Sequence, residues 1–424
     1  LSLLGLLATR RFLPLFITQA LGAINDNLFK NALVVLALYH LTRAGPVVVA
    51  LAGGVFILPY ALFSATAGQL ADKYDKSRLI RLTKLWELGL MLLAAAGFLS
   101  ASIPALLLVL FGLGAQAAFF SPLKYASLPE LLAEAELGPG NGLIEAGTFL
   151  AILAGTIAGG LLFALPGGAA IVSLAGVALA LAGIAAARGI PDLPPAAPDL
   201  GISRNFIAAT FGLLREAHAR RPVWLACLGI SWFWAVGATL LAELPTIARQ
   251  NLHAGPGAVT LMLAGFSIGI GIGALACAAI RPAHRRRRLV PLAAAGISLF
   301  MLDFAAAAAH GGALHSAAAI LGSWPGRRLL ADLLLLAAAG GMFSVPLYII
   351  LQEAAAAAMR ARMIAANNVM NALAMTAAAL LTAALYAALP SAPLILAVTA
   401  MLNLAVVIWI IRALARVKNH AGPE

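Results

Sequence analysis

The sequence predicts an all-α polytopic membrane protein, with twelve transmembrane helices in two six-helix halves related as a parallel repeat. Three observations predict it. Charged residues make up 10% of the 424-residue chain and hydrophobic residues 62%, against about 25% and roughly 45–50% in a soluble domain. Apolar stretches recur twelve times, each near the ~20 residues that a membrane helix needs. Similar short motifs appear in the same order in both halves. This composition excludes a soluble enzyme, a disordered chain, collagen and a coiled coil.

The stretches fall at 12–39, 46–67, 79–100, 104–122, 142–165 and 169–187, then at 222–247, 257–280, 289–309, 328–350, 365–388 and 393–412. Helix is the expected form, because hydrocarbon offers no partners to backbone N–H and C=O groups. The first stretch runs on through Tyr39 and reads as a span, not a cleavable leader. Gly45-Pro46, Pro104, Pro166-Gly167, Gly255-Pro256 and Pro390 punctuate the short links. Phe120-Ser121-Pro122-Leu123-Lys124-Tyr125 ends span four, and Phe343-Ser344-Val345-Pro346-Leu347-Tyr348 ends span ten. Asn141-Gly142-Leu143-Ile144-Glu145-Ala146 follows the first, and Asn368-Val369-Met370-Asn371-Ala372 the second. The predicted division is therefore 1–187, a linker 188–221, and 222–424. Secondary transporters are built from such repeats and hold substrate near the midplane between them.

The net charge is +12, from 28 Lys and Arg against 16 Asp and Glu. In a soluble chain this would suggest nucleic acid. Here it reads as topology. With both termini cytoplasmic, only Lys30, Arg43, Arg249, Arg327 and Arg328 fall outside cytoplasmic loops and helix ends, as the positive-inside rule requires. The run Arg285–Arg288 reads as an anchor to anionic headgroups. The linker opens on Ile190-Pro191-Asp192-Leu193-Pro194-Pro195. It continues with Ile202, Phe206, Ile207, Phe211 and Leu214 set against Arg204, Arg215, Arg220 and Arg221. This fits a helix lying on the inner membrane face, and a tether between halves fits equally.

Polar residues inside spans are the candidates for function, because each is costly in lipid. Span one carries Asn25-Asp26-Asn27 and, four residues beyond Asp26, Lys30. That spacing puts Asp26 and Lys30 on one helix face. The pair either contacts a polar or zwitterionic substrate or coupling ion, or forms a structural salt bridge. Glu145 and Asn141 in span five, Glu243 in span seven, and Asn367, Asn368 and Asn371 opening span eleven complete the set. Asp303 in span nine reads as solvated by packing or by a cytoplasmic vestibule. Trp232, Phe233 and Trp234 line an acyl-chain cavity or form an aromatic belt. Gly155 and Gly159, and Gly265, Gly269 and Gly273, recur every fourth residue and mark close helix packing. Cys227 and Cys277 read as packing residues. No catalytic constellation, cofactor motif or metal spacing is present.

The loop Gly68-Gln69-Leu70-Ala71-Asp72-Lys73-Tyr74-Asp75-Lys76-Ser77-Arg78 resembles the loop signature of the major facilitator superfamily, with Asp75 where that family has Gly. The resemblance implies a major facilitator fold and a cytoplasmic gating loop of Gly68, Asp72, Lys73, Arg78 and Lys124. Asn25-Asp26-Asn27, Ser121-Pro122-Leu123-Lys124-Tyr125, Asn141 through Ala146, Ser231-Trp232-Phe233-Trp234 and Val345-Pro346-Leu347-Tyr348 with Gln352 resemble one branch of it, the bacterial lysophospholipid transporters. Asn27 through Leu33 and Ile364 through Asn368 are most similar to the transporter portion of fusions with an acyltransferase and an acyl-carrier-protein synthetase. Stand-alone transporters carry an Arg near Leu241, where this chain has Glu243 nearby instead.

The resemblance implies a monomeric inner-membrane flippase without cofactor. It would move lysophospholipid, such as lysophosphatidylethanolamine, to the cytoplasmic leaflet, where a fused or partner acyltransferase re-acylates it. Asp26, Lys30 and Glu145 would meet the headgroup. The alternatives are a proton-coupled efflux carrier for drugs or metabolites, and a non-transporting membrane anchor for an acyltransferase.

Overall fold

A computed structural model describes residues 3–40, 45–280, 283–310, 312 and 314–420. Within these it describes the side chains other than those at 4, 39–40, 45–47, 49–50, 283–287, 407 and 410–420. Arg43, Arg281, and the side chains of Arg285, Arg286, Arg287, Arg412, Arg416 and Lys418 lie outside that description. The described residues are helical, with no strand among them. In order come α1 (Leu3–Leu7), α2 (Leu13–His40), α3 (Gly45–Lys73), α4 (Lys76–Leu99), α5 (Ile103–Leu131), α6 (Glu134–Phe163), α7 (Gly168–Arg188) and α8 (Phe206–Ala219). Then come α9 (Arg221–Thr246), α10 (Pro256–Ala279), α11 (Ala283–His310), α12 (Ala317–Gly322), α13 (Trp324–Ala354), α14 (Arg360–Ala388) and α15 (Ala392–His420).

Among the described residues, 11 helices are long and apolar enough to cross a membrane. The apolar part of α15, Ala392–Val406, is the twelfth element of the predicted set. Large apolar side chains such as Leu82, Leu93, Leu108, Leu161 and Leu174 point outward and exposed. In water such a surface would aggregate, whereas in lipid it costs nothing.

The helices outrun the apolar stretches. At some of their ends polar groups find partners, as Glu136 does in Arg11 and Glu130 in Lys76. α5 continues through Pro122 and Pro129 to Leu131, and α6 starts at Glu134 and passes Pro139. The Ser121-Pro122 block therefore lies within a helix and does not end one. The predicted loop 68–78 is also mostly helix. Gly68 through Lys73 close α3, and α4 restarts at Lys76. Asp75 in the turn accepts the Ser77 hydroxyl at 2.6 Å and the Arg78 N–H at 2.9 Å, capping α4. Burial pushes its carboxyl up, but these bonds and the Arg78 charge outweigh that and hold it below its ordinary value. The Pro166-Gly167 turn needs its glycine, because Gly167 takes the left-handed φ of 74°.

The chain forms two compact units, residues 1–228 with 349–373, and residues 229–348 with 374–424. The segment 349–373 packs with the first unit, so these packing units do not follow the division at 188–221.

In the first unit α2 packs on α6 and α7, α3 on α5, and α4 on α5 and α7. The close approach of α2 and α6 depends on Gly155 and Gly159. A Cβ at either would lie 2.2 Å from the Ile24 carbonyl oxygen or 2.4 Å from that of Leu28, which is the packing role read from their spacing. Leu28, Phe29, Leu33, Met91, Phe98, Leu110 and Phe163 form the apolar core of this unit. The Phe29 and Phe98 rings sit 5.4 Å apart and Phe98 and Phe163 5.7 Å apart. Arg11 fixes the start of the bundle through Nη2, which donates to both Glu136 carboxylate oxygens at 2.7 Å, and Nη1, which donates to the Leu131 carbonyl at 3.0 Å.

The linker is strapped down. Ala196 and Ala197 donate to the Asp72 carbonyl at 3.0 and 2.8 Å. Lys76 N–H donates to the Leu193 carbonyl, and Lys73 Nζ to that of Leu200 at 2.7 Å. The predicted amphipathic stretch is α8, which packs on α3 through Ala209, Leu213 and Ala217.

In the second unit α11 packs on α15. Trp232 donates to Asn403 Oδ1 at 2.7 Å, and Asn403 donates to Ser298 Oγ and the Ala294 carbonyl. Asp303 pairs with Arg328 at the start of α13 and is 39% exposed. This pair ties the end of α11 to the start of α13.

Candidate functional site

The first unit buries a cluster of charges beside its apolar core. One turn before Leu28, Asn25 points its amide at Glu87 Oε1, 3.0 Å away, and at the Gly176 carbonyl at 3.2 Å. Glu87 forms an ion pair with Lys84 at 2.6 Å, and both side chains are 1% exposed. Gln116 on α5 donates to Glu87 Oε2 at 3.4 Å and to the Thr83 carbonyl at 3.3 Å. Lys84 Nζ also lies 5.0 Å from the centre of the Phe120 ring. Three helices thus converge on one buried pair.

Lys84 and Glu87 were not among the sequence candidates. The charge pattern alone groups Lys84 with the cytoplasmic basic residues, as it does Lys76, which is buried and pairs with Glu130 at 2.9 Å. The available signal was the i, i+3 spacing of opposite charges inside the apolar stretch 79–100.

Asp26 and Lys30 share a face of α2, as their spacing predicts, and their charges attract. No direct ion pair between them is found among the described residues. Lys30 Nζ instead lies over Phe56 of α3, 5.7 Å from the ring centre. Asp26 keeps a buried Oδ1 with no hydrogen-bond partner and senses Glu87, Lys84 and Lys30. Asn27 donates to its own helix at the Ala23 carbonyl. On α5, Lys124 lies over Tyr125 at 4.4 Å, attracted by Glu145 and repelled by Lys84. Lys124 therefore belongs to this interior cluster and not to the loop after α3. Asp26, Glu87 and Glu145 balance Lys30, Lys84 and Lys124 in formal charge.

A second polar region lies where 349–373 packs against the N-terminal helices. Asn141 and Gln352 exchange amide bonds at 2.8 and 3.0 Å, and Gln352 also donates to the Tyr125 carbonyl. Ser121 donates to Asn368 Oδ1 at 3.1 Å. The repeated motifs therefore pair crosswise, the span-four block with span eleven and the span-five block with span ten. Asn371 follows one turn after Asn368 on α14.

Asp72 is the centre of a clasp. Its Oδ1 accepts the Ala361 N–H at 3.0 Å, and its Oδ2 accepts the Arg362 N–H at 3.2 Å and Nε at 3.1 Å. Asp72 closes α3, yet its carboxylate caps the first turn of α14, where backbone N–H groups lack intrahelical partners. The helix it caps is thus distant in sequence. Lys73 braces the linker, and Arg78 contributes its backbone N–H to Asp75.

Gly68 permits the clasp. A Cβ there would lie 2.6 Å from Ala365 Cβ and 2.9 Å from Arg362 Cα. Gly68→Val is expected to force α3 and α14 apart and to raise amide exchange at Ala361 and Arg362. Ala365→Gly removes only the nearer contact and should rescue in part. Unchanged exchange in Gly68→Val would contradict this packing role.

In the second unit Glu243 is buried and accepts the Tyr386 hydroxyl. It belongs to the second unit and the charge cluster to the first. Trp232, Phe233, Leu240, Phe266, Met301 and Phe343 line an apolar cavity in this unit. Trp234 Nε1 donates to the Tyr348 hydroxyl at 3.3 Å. Phe233 is buried, and Trp232 and Trp234 are half-buried.

The sequence matches the Major Facilitator Superfamily over residues 13–324. It is 33% identical over 287 residues to the Lysophospholipid transporter LplT of Shigella sonnei (strain Ss046), covering 65% of this chain and 67% of that one. The same figures hold for LplT of Escherichia coli (strain K12 / DH10B). The chain belongs to the major facilitator superfamily, in its lysophospholipid transporter family. Structural similarity places the fold in the same superfamily. The human organic anion transporter MFSD10 (TETRAN) superposes with a TM-score of 0.80 at 17% identity, over 95% of this chain and 99% of that one. The E. coli fucose:proton symporter FucP gives 0.71 at 16% identity, over 95% and 97%. The protein is therefore a multi-pass membrane transporter.

Proposed function

We propose that this transporter moves lysophospholipid, such as lysophosphatidylethanolamine, to the cytoplasmic leaflet of a bacterial inner membrane for re-acylation. The observation that carries the reading is the neutral buried cluster with an unpartnered Asp26 oxygen. An ammonium headgroup supplies the N–H donors that this oxygen lacks, and Lys124 or Lys30 supplies charge for the phosphate. The acyl chain needs only apolar surroundings, which the lipid itself provides. Both termini face the cytoplasm in this reading, since that arrangement keeps the basic loops inside. The halves 1–187 and 222–424 then act as the two repeats on either side of the 188–221 linker. The carrier acts as a monomer and hands its product to a fused or associated acyltransferase.

The test is uptake of labelled lysophosphatidylethanolamine by vesicles containing the purified chain. Asp26→Asn is expected to slow uptake about ten- to a hundredfold, the loss of one charge-assisted bond worth ~1.5–3 kcal/mol. Normal uptake by a folded Asp26→Asn protein would remove Asp26 from the site. Drug export without lysolipid movement would favour an efflux carrier. No movement of either would favour an acyltransferase anchor.

A further inference from the structure

We propose that the exposed face of α8 docks on the anionic surface of the inner leaflet, and that Glu216 transmits this docking to the Asp72–Arg362 clasp. The helix has two unlike faces. Ala209, Leu213 and Ala217 are buried against α3. Ile207 and Phe211, on the other side, are 56% and 70% exposed, and Phe206 is 44% exposed. Nothing in the first unit covers these three among the described residues.

Charge and connectivity identify the occupant. Between residues 204 and 221 there are four arginines, Arg204, Arg215, Arg220 and Arg221, and a single acid, Glu216. Arg204, Arg215 and Arg221 are exposed, whereas Glu216 is turned toward Arg220 at 3.8 Å and Arg362 at 3.5 Å. The free face therefore offers apolar groups and cations with no anion among them. Only Arg220 separates α8 from α9, a membrane-spanning helix. The His218 ring stacks edge-on to Trp224 of α9 at 4.8 Å and fixes the junction. The end of α8 is thus held at the level where α9 enters lipid. At that level an apolar face bordered by arginines meets acyl chains and anionic headgroups.

The coupling is also in the side chains. Arg362 is shared, its Nε bonded to Asp72 at 3.1 Å and its Nη1 facing Glu216 at 3.5 Å. Ser203, just before α8, donates its N–H to Gln69 on α3 at 2.9 Å. The clasp is closed while α8 holds this position, so docking that restrains α8 strengthens the clasp. The inference does not depend on which cargo is carried.

The experiment uses the full chain with Phe211→Cys, labelled by a polarity-sensitive thiol fluorophore. Cys227 and Cys277 are fully buried and do not compete. Phosphatidylethanolamine vesicles are prepared with either phosphatidylglycerol or phosphatidylcholine. The expected result is a blue shift, with quenching by brominated acyl chains, in the phosphatidylglycerol vesicles alone. Amide exchange at Ala361 and Arg362 should be slower there too. Glu216→Gln should abolish that difference in exchange and leave the blue shift intact. Ile207→Cys provides a second labelling position.

A label exposed in both compositions overturns the docking. Equal burial in both overturns the recognition of anionic lipid. Burial that rises with protein concentration in detergent, or that needs an added cytoplasmic protein, assigns the face to a second copy or to a protein partner. Exchange that ignores lipid composition overturns the coupling.

Discussion

Glu87→Ala is expected to destabilise the first unit by about 3–5 kcal/mol, the usual cost of leaving one member of a buried ion pair uncompensated. Lys84 and Glu87 are each 1% exposed and 2.6 Å apart. Removing Glu87 leaves the Lys84 ammonium without an anion inside the bundle, and it takes the acceptor from Asn25 and Gln116 as well. The double replacement Lys84→Met with Glu87→Leu removes both charges at similar volume, so most of the lost stability should return. The reporter is the rate at which a thiol reagent reaches Cys227 on heating. Cys227 is fully buried in the first unit, and Cys277→Ala silences the other thiol. If the double variant is stable but transports nothing, the pair serves transport as well as folding. If Glu87→Ala melts like the parent, the pair carries no structural weight.

Asp72→Ala is the second large effect. The carboxylate is fully buried and accepts two backbone N–H groups and the Arg362 guanidinium. Alanine leaves those N–H groups unpartnered at about 1–3 kcal/mol each. The clasp is local, so opening α14 from α3 relieves the penalty without unfolding the unit. The expected result is faster amide exchange at Ala361 and Arg362, by about tenfold or more. Lysolipid uptake should fall with it. Asp72→Asn keeps one acceptor oxygen and should be intermediate. Parental exchange in Asp72→Ala would remove the clasp from the mechanism.

The fold was largely legible because one strong force writes it. A bilayer demands apolar length and internally paired backbone, and both leave a plain trace in the twelve stretches. The charges were harder. Asp26, Lys30 and Glu145 stand out because an acid or base amid apolar residues is conspicuous. Lys84 and Lys124 lie near basic loops in the sequence, where a cation at a helix end and one tucked into the bundle leave the same pattern. Asp72 stands out through the loop signature alone, and the residue of α14 that its carboxylate caps lies 289 positions away in the chain.

By itself the sequence determined the membrane class, the helix count, the family and a short list of costly polar residues, because burial energies in lipid are large and act residue by residue. The tertiary structure decided which of them share a site. It drew Asn25, Lys84, Glu87 and Gln116 together around one buried pair and left Asp26 and Lys30 unjoined. It kept Glu243 in a different unit and turned Asp72 onto the first turn of α14. These outcomes depend on how helices rotate and approach, set by contacts such as Gly155 against Ile24 and Gly68 against Ala365. No local pattern of residues carries that geometry, because it arises only when distant helices pack.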